Sequence, residues 1–584
     1  MIQALGASAG IAIGKAFVLP NWEWELPDQK IDVADLAKEF DRLYEGVRRS
    51  KSEIAQMKSE LDEAVGAQES SIFDAHIAIL EDPVFMNEIQ GIIQRQYKAA
   101  EVAVKEAIDH FVTMFDLLDD EYMKERAVDI KDVGNRLLKH LLGVPEIDLP
   151  EDTQPFVLVV RELTPSQLIH LRPELVLGIV TMVGSPTSHA AIMARAFGIP
   201  LVMGVESKLE APIVTGDLLI ADGGTGQLYI EPDPETVELY VGRRQQYLAQ
   251  QEQLRSLVAL PSVTMDGVPL QLGANISSVK ELEASLESGA EGVGLFRTEF
   301  LYMDRSHFPS EEEQFEVYRA AAERLNGKPL VVRTLDIGGD KQLDYYEMPE
   351  EDNPFLGYRA IRFSLHRKDL FKIQLRAILR AAAYGDVQIM YPLIASVEEV
   401  REANGVLEEA KRELAAEGIA YRADVPTGIM IEVPAAVAVA DLLAEEVSFF
   451  SIGTNDLVQF TLAVDRMNEN IGHLYEPFHP AVIRMLAQAA EAANRRGISV
   501  SVCGELAGDV RALPLLLGLG ITVLSLSAQA ILPVKECLLR TRAADCRALV
   551  QQVLACRTAA EVRGVLEAFH AETESRNWQV QPRA

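Results

Sequence analysis

Hydrophobic and polar positions along this chain follow two periods, and the places where one gives way to the other divide it. Residues 1 to about 20 alternate apolar with polar around Gly10 and Gly14, which predicts a short strand pair. From about 32 to 143 the period lengthens. Ile72, His76, Ile79 and Leu80, with Phe73 beside them, repeat at i, i+4, i+7 and i+8 on one helical face. Pro83, following Glu81 and Asp82, predicts a turn between two helices. Short apolar runs then return as FVLVV (156–160), LGIVTMV (177–183), PLVMGV, DLLIADG and QLYIEP, with turn residues and helical stretches between them. They predict a compact α/β domain of residues 1–22 plus 145–232, into which residues 23–144 are inserted as a helical bundle. Residues 233–260, rich in Glu, Gln and Arg, read as a linker helix.

Beyond Pro261, QLGANI, GVGLFRTEF, LVVRTLD, VQIMYPLI, TGIMIEV, VSFFSIGTNDL, ISVSVCGEL and TVLSLSAQ are eight apolar strand candidates, mostly separated by amphipathic helical stretches. Eight such units over residues 261–584 predict a (β/α)8 barrel of the TIM type. The expected fold is therefore multidomain α/β, with an inserted α-helical bundle and a C-terminal barrel. In a barrel of this kind the chemistry lies at the C-terminal strand ends, and Arg297, Arg333, Glu432, Asn455 with Asp456, and Cys503 with Glu505 all fall there.

Composition narrows the partners. The 55 basic against 88 acidic side chains leave a net charge of −33 at pH 7, which repels phosphate backbones and makes nucleic acid an unsuitable general partner. Four cysteines, Cys503, Cys537, Cys546 and Cys556, show no CxxC spacing and read as reduced thiols of a cytoplasmic protein. The N-terminal MIQALGASAGIAIGKAF lacks the basic lead and cleavage site of a secretion signal. Residues 512–534 carry no charge, but their prolines, glycines and polar residues predict a helix end, a loop and a buried strand, with no membrane insertion.

Two carboxylates on separate strands, Glu432 and Asp456, suit a hard divalent ion such as Mg2+, which takes one or two protein carboxylates and keeps positions for water and a substrate phosphate. The competing reading is a carboxylate paired with an arginine at the rim. Arg297, Arg333 and Arg466 add forked donors that match phosphate and carboxylate, so the cluster fits a small phosphorylated, carboxylated substrate. Cys503 is either an inert core thiol or, at a barrel mouth, a proton donor or acceptor. His189, in GSPTSHAAIMARAFGIP, falls where a loop enters a helix. It is either structural or an imidazole able to carry a phosphoryl group at the positive end of the helix dipole.

The runs IGTNDLVQFTLAVDRMNEN (452–470), GLFRTEFLYMDR (294–305), VRTLDIGGDK (332–341), NPFLGYRAIR (353–362) and VCGELAGD (502–509), with GASAGIAIGKAF at the start and TSHAAIMAR before the barrel, closely resemble Enzyme I of the bacterial sugar phosphotransferase system. This is the family of phosphoenolpyruvate-protein phosphotransferases. The resemblance implies a phosphohistidine α/β domain, an inserted bundle that docks the phosphocarrier HPr, and a barrel that binds phosphoenolpyruvate and forms a homodimer. It implies Mg2+ on Glu432 and Asp456, and substrate contacts from Arg297, Arg333, Asn455 and Arg466. Lys341, Arg359 and Glu505 match further active-site positions. His189 would take the phosphoryl group while Cys503 protonates the enolate to pyruvate, and phospho-His189 would pass the group to HPr, the α/β domain swinging between its two partners. Acidic residues such as Glu81 and Asp82 would suit a basic carrier.

Two departures stand close to His189. Gly184, Ser185 and Pro186 occupy positions where the family has two glycines and a basic residue, and Leu168 replaces a threonine that hydrogen-bonds the histidine. The losses predict slower transfer or altered carrier choice, and leave as an alternative a regulatory paralogue that senses phosphoenolpyruvate or pyruvate. A dikinase-like enzyme would need an ATP-binding domain, for which the predicted domains leave no space.

Overall fold

The computed structural model describes residues 1–19, 26, 30–64, 72–116, 121–144, 154–164, 173–184, 189–303, 305–339, 341, 343, 345–468 and 470–575. Two compact units divide the chain, Met1–Gln251 and Glu252–Ala584.

Among the described residues the first unit has eight strands: β1 (Ile2–Gln3), β2 (Leu5–Ser8), β3 (Ile11–Val18), β4 (Phe156–Val160), β5 (Val176–Thr181), β6 (Leu201–Met203), β7 (Leu218–Asp222) and β8 (Gln227–Ile230). They lie in the order β1-β8-β7-β3-β4-β5-β6-β2, parallel from β3 to β6 and antiparallel elsewhere. The strand pair expected at the N-terminus does not form. Its residues make three strands, and each finds a different partner, β1 on β8, β2 on β6, and β3 between β7 and β4. Gly10, with φ +126, turns the chain between β2 and β3, whereas Gly14 lies within β3, where a Cβ would stand 2.7 Å from Leu177 Cδ1.

The β4 run FVLVV is apolar throughout because both its faces are covered. Phe156, Leu158 and Val160 share one continuous core with bundle residues such as Leu43, Ile54, Phe73 and Ile89, while Val157 and Val159 pack with Leu219, Ala221 and Leu228 on the other face. Among the described residues the bundle consists of α1 (Leu36–Ala64), α2 (Ile72–Glu81), α3 (Pro83–Gln96), α4 (Ala100–Asp116) and α5 (Glu121–Leu142). Asp82 breaks α2 from α3 as the sequence suggests, its carboxylate accepting the Val84 N–H at 2.6 Å and Pro83 filling the first helical position. Helix α6 (His189–Ala196) follows β5, and α7 (Pro234–Ser256) is the long helix expected near 233–260.

In the second unit, β9 (Gln271–Ile276), β10 (Val293–Arg297), β11 (Leu330–Arg333), β12 (Val387–Tyr391), β13 (Thr427–Ile431), β14 (Phe449–Ile452), β15 (Ser499–Val502) and β16 (Val523–Leu526) close into a parallel barrel. All eight predicted runs form its strands. Leu295, Met390, Met430, Phe449 and Cys503 make a small apolar cluster of their own, while the main core lies between strands and surrounding helices. Among those helices are α8 (Lys368–Ala381), α9 (Val397–Glu417) and α10 (Thr454–Leu462). The uncharged run 512–534 resolves into a short helix, β16 and the start of a further helix, and no helix among the described residues is long and apolar enough to cross a membrane.

Candidate functional site

Parallel strands deliver polar residues to one end of the barrel. Arg297 and Arg333 are the last residues of β10 and β11, Glu432 follows β13, Asn455 and Asp456 open α10 directly after β14, and Cys503 follows β15. The long segment between β11 and α8 contributes Lys341 and Arg359. A cavity of about 540 Å³ is lined by all of these and by Arg466 and Glu505, so every barrel residue singled out from the sequence meets at one place.

Two glycines permit this convergence. A Cβ on Gly453 would lie 2.9 Å from Glu432 Oε2, and one on Gly504 would lie 2.0 Å from Thr454 Oγ1 and 2.8 Å from the Thr454 nitrogen. The ends of β13, β14 and β15 approach too closely for side chains there. Asn455 is held from two sides, its Oδ1 accepting the Glu505 N–H at 3.0 Å and its carbonyl accepting the Tyr475 hydroxyl at 3.3 Å.

Charge organises the cavity. Arg333 donates to Glu299 Oε1 at 2.6 Å and pairs with Asp336 Oδ2 at 3.0 Å. Lys341 Nζ reaches Glu299 at 2.7 Å and Asp336 at 3.5 Å. Arg359 Nη2 joins Asp336 at 3.0 Å to Asp456 at 3.2 Å, and Arg466 lies 3.7 Å from Asp456. Arg297 makes no ion pair among the described residues. Burial alone would raise Glu299 and Asp336, but the Arg333 and Lys341 charges, joined at Asp336 by Arg359, hold both carboxyls below the usual range. Glu432 behaves oppositely. Burial, reinforced by the Asp456 and Asp336 charges, pushes it up to about 8, and its Oε1 accepts the Leu393 N–H at 2.6 Å. Burial also pushes the Cys503 thiol up to about 11, so it is protonated at neutral pH.

The two carboxyl groups differ in their surroundings. Asp456 is paired with arginines, as a rim acid would be, whereas Glu432 makes no ion pair among the described residues and feels negative charge from Asp456 and Asp336 that the nearby Arg333 and Arg359 only partly offset. A dication between the two would offset that negative charge, and the donor set is all oxygen. Among the described residues no group of three or more His, Cys, Asp or Glu could hold a metal, so an ion on these two carboxyl groups would have to take its remaining ligands from water and substrate.

Sequence reasoning missed Glu299, Asp336, Tyr475, Phe300, Phe355 and Met467, all of which line the same cavity. A signal existed for the acids, since each follows a strand-end arginine by two or three residues, in RTE and RTLD. His189 opens α6 as expected, after Gly184 at φ +133. The His189 side chain, Leu168, Ser185 and Pro186 lie outside the described residues.

Three family profiles match the chain in order: "PEP-utilising enzyme, N-terminal" over residues 3–126, "PEP-utilising enzyme, mobile domain" over 152–226, and "PEP-utilising enzyme, PEP-binding domain" over 251–543. With the barrel and its cationic mouth they define the class, an enzyme that uses phosphoenolpyruvate (PEP). The chain is 45% identical over 564 residues to the phosphoenolpyruvate-protein phosphotransferase of Geobacillus stearothermophilus, with 96% of each chain covered. It is 45% identical over 562 residues to that of Bacillus subtilis (strain 168), covering 96% of this chain and 98% of the relative. The same enzyme of Staphylococcus carnosus (strain TM300) is 42% identical over 572 residues, with 97% and 99% covered. The chain belongs to the phosphoenolpyruvate-protein phosphotransferase family.

Proposed function

We propose that this chain takes the phosphoryl group of PEP onto His189, releases pyruvate, and passes the group to the histidine phosphocarrier HPr, the first step of sugar uptake by a phosphotransferase system. The observation that carries the reading is the meeting of five cationic side chains, the Glu432 and Asp456 carboxyl groups and the buried Cys503 thiol in one cavity at the strand ends. Arg297, Arg333 and Arg466 would grip the phosphate and carboxylate of PEP, with Asn455, Lys341, Arg359 and Glu505 completing the rim. Mg2+ held by Glu432 and Asp456 would neutralise charge on the phosphoryl oxygens. In the transfer, the His189 imidazole forms the new P–N bond as the P–O bond to the enol oxygen breaks. The enolate takes its proton from Cys503 to become pyruvate, and solvent restores the thiol. Positioning and charge neutralisation supply most of the acceleration.

The bundle is proposed as the carrier dock, where Glu81 and Asp82 are exposed although Glu81 already pairs with Lys51 at 2.8 Å. The four cysteines are buried and form no disulfide, which accords with a reduced, cytoplasmic setting, and the barrel is proposed as the homodimer contact. Labelled PEP with Mg2+ should place one acid-labile phosphate on His189 with equimolar pyruvate, and HPr should remove it. Label retained at the wild-type rate by His189→Ala, or none on the wild-type chain, overturns the function.

A further inference from the structure

We infer that Glu299 and Asp336 are positioning residues for the phosphoryl-transfer reaction, two buried anions that fix the attitude of the cationic side chains without themselves binding substrate or metal; the inference rests on the reaction proposed above. Together they make five ion pairs, with Arg333, Lys341 and Arg359. The Arg333 guanidinium is pinned at both ends, Nη2 by Glu299 and Nη1 by Asp336, at 2.6 and 3.0 Å. A planar fork held at two corners by two carboxylates cannot pivot without breaking both bonds. Lys341 is held between the same two acids.

Most of the acids' bonding capacity is already spent on cations, only the buried Glu299 Oε2 lacking a hydrogen-bond partner among the described residues. Glu299 Oε1 already serves two cations, both Asp336 oxygens are paired, and their side chains are 1% and 2% exposed. Stability alone does not account for the arrangement, because burying ion pairs costs desolvation that well-packed apolar side chains would avoid.

A neutral network holds the acids from beneath. Thr298 donates its hydroxyl to the Arg333 carbonyl at 2.8 Å, and Gln374 on α8 accepts the Leu335 N–H at 2.9 Å while donating to Thr298 Oγ1 at 3.1 Å. Thr298 and Gln374 are buried, so the backbone that carries Glu299, Arg333 and Asp336 is tied into one block.

The consequence is a division between ground state and transition state. Two fixed counter-charges keep the cations from collapsing onto the bound phosphate and leave them where charge develops during transfer. Glu299→Gln keeps the shape and removes the charge. By calorimetry its affinity for PEP should equal the wild type's or exceed it by up to about tenfold, while its kcat for His189 phosphorylation falls by about a hundredfold. Glu299→Asp, which restores the charge, should recover part of that loss. Arg333→Lys, at a residue proposed to touch PEP, should instead weaken binding.

Turnover of Glu299→Gln within about threefold of wild type, or affinity and turnover falling together as in Arg333→Lys, overturns the inference. Should Glu299→Gln fail to fold, Asp336→Asn applies the same two measurements from the other flank of Arg333. The two readings fail separately. A wild-type chain that binds PEP and never phosphorylates His189 overturns the reaction, whereas the relative affinities are read without turnover.

Discussion

Adding one methyl group at Gly504 tests how far activity depends on the close approach of β15 to the start of α10. The backbone there, at φ −78 and ψ 175, suits any residue, so Gly504→Ala meets no conformational strain and its only obstacle is space. The new Cβ would lie 2.0 Å from Thr454 Oγ1, which a rotamer change can relieve, and 2.8 and 3.0 Å from the Thr454 and Asn455 backbone nitrogens, which cannot turn away. Ordinary contact is about 3.5 Å or more, so the two segments must part by roughly 0.5–1 Å. That displacement acts on the first turn of α10, moving Asn455 and Asp456, and it stretches the 3.0 Å bond from the Glu505 nitrogen to Asn455 Oδ1. A misplacement of about 1 Å costs on the order of a hundredfold in rate, and overpacking costs about 1–3 kcal/mol in stability. The assay is kcat/KM for PEP-dependent phosphorylation of His189 beside a thermal melt. Gly405→Ala is the matched control: it lies within α9 with no atom within 4 Å of its added Cβ, and should leave activity unchanged and raise the melting temperature slightly. Activity of Gly504→Ala within about threefold of wild type, with an unchanged melt, would show that the strand ends are loosely packed and refute the reasoning.

Two further outcomes follow from protonation. Glu432 is pushed up to about 8 from an ordinary 4.5, so without a divalent cation the folded state favours its neutral form. The stability this contributes is complete below the ordinary value and is lost as pH rises through about 8. The cation-free wild type should therefore lose melting temperature across that window relative to Glu432→Gln, and Mg2+ should remove the difference; parallel curves for the two proteins would discard it. Cys503→Ala should slow exchange of pyruvate methyl protons by about a hundredfold or more while PEP affinity stays within about threefold, and exchange at the wild-type rate would return Cys503 to a packing role.

How much of this was legible in the sequence depends on which physical property writes itself into local pattern. A barrel strand is covered on both faces, so it appears as an apolar run such as TGIMI or FFSI, and the first polar residue after the run marks the strand's C-terminal end. Arg297, Arg333, Glu432 and Cys503 could be singled out for that reason alone. Pairing leaves no such trace. The alternation around Gly10 and Gly14 reports a buried face, yet β1, β2 and β3 pair with β8, β6, β7 and β4, because a backbone ladder carries no side-chain signature across two hundred residues. Glu299 and Asp336 were hidden differently. Each stands just past a strand-end arginine, where an acid ordinarily faces water, and their contacts with Lys341 and Arg359 arise only when the long segment after β11 folds back over the barrel mouth. Their flanks held the clue. In TEFLY and TLDI the acid sits among apolar residues, and a buried carboxylate must either find cations elsewhere or lose its charge. Glu299 and Asp336 pair directly with Arg333, Lys341 and Arg359, whereas Glu432 makes no direct ion pair among the described residues, and burial with the Asp456 and Asp336 charges outweighs the pull of Arg333 and Arg359, so it shifts toward its neutral form. The same demand, met by direct ion pairs at two positions and not at the third, separates the two acids proposed to position the site from the one proposed to bind a metal.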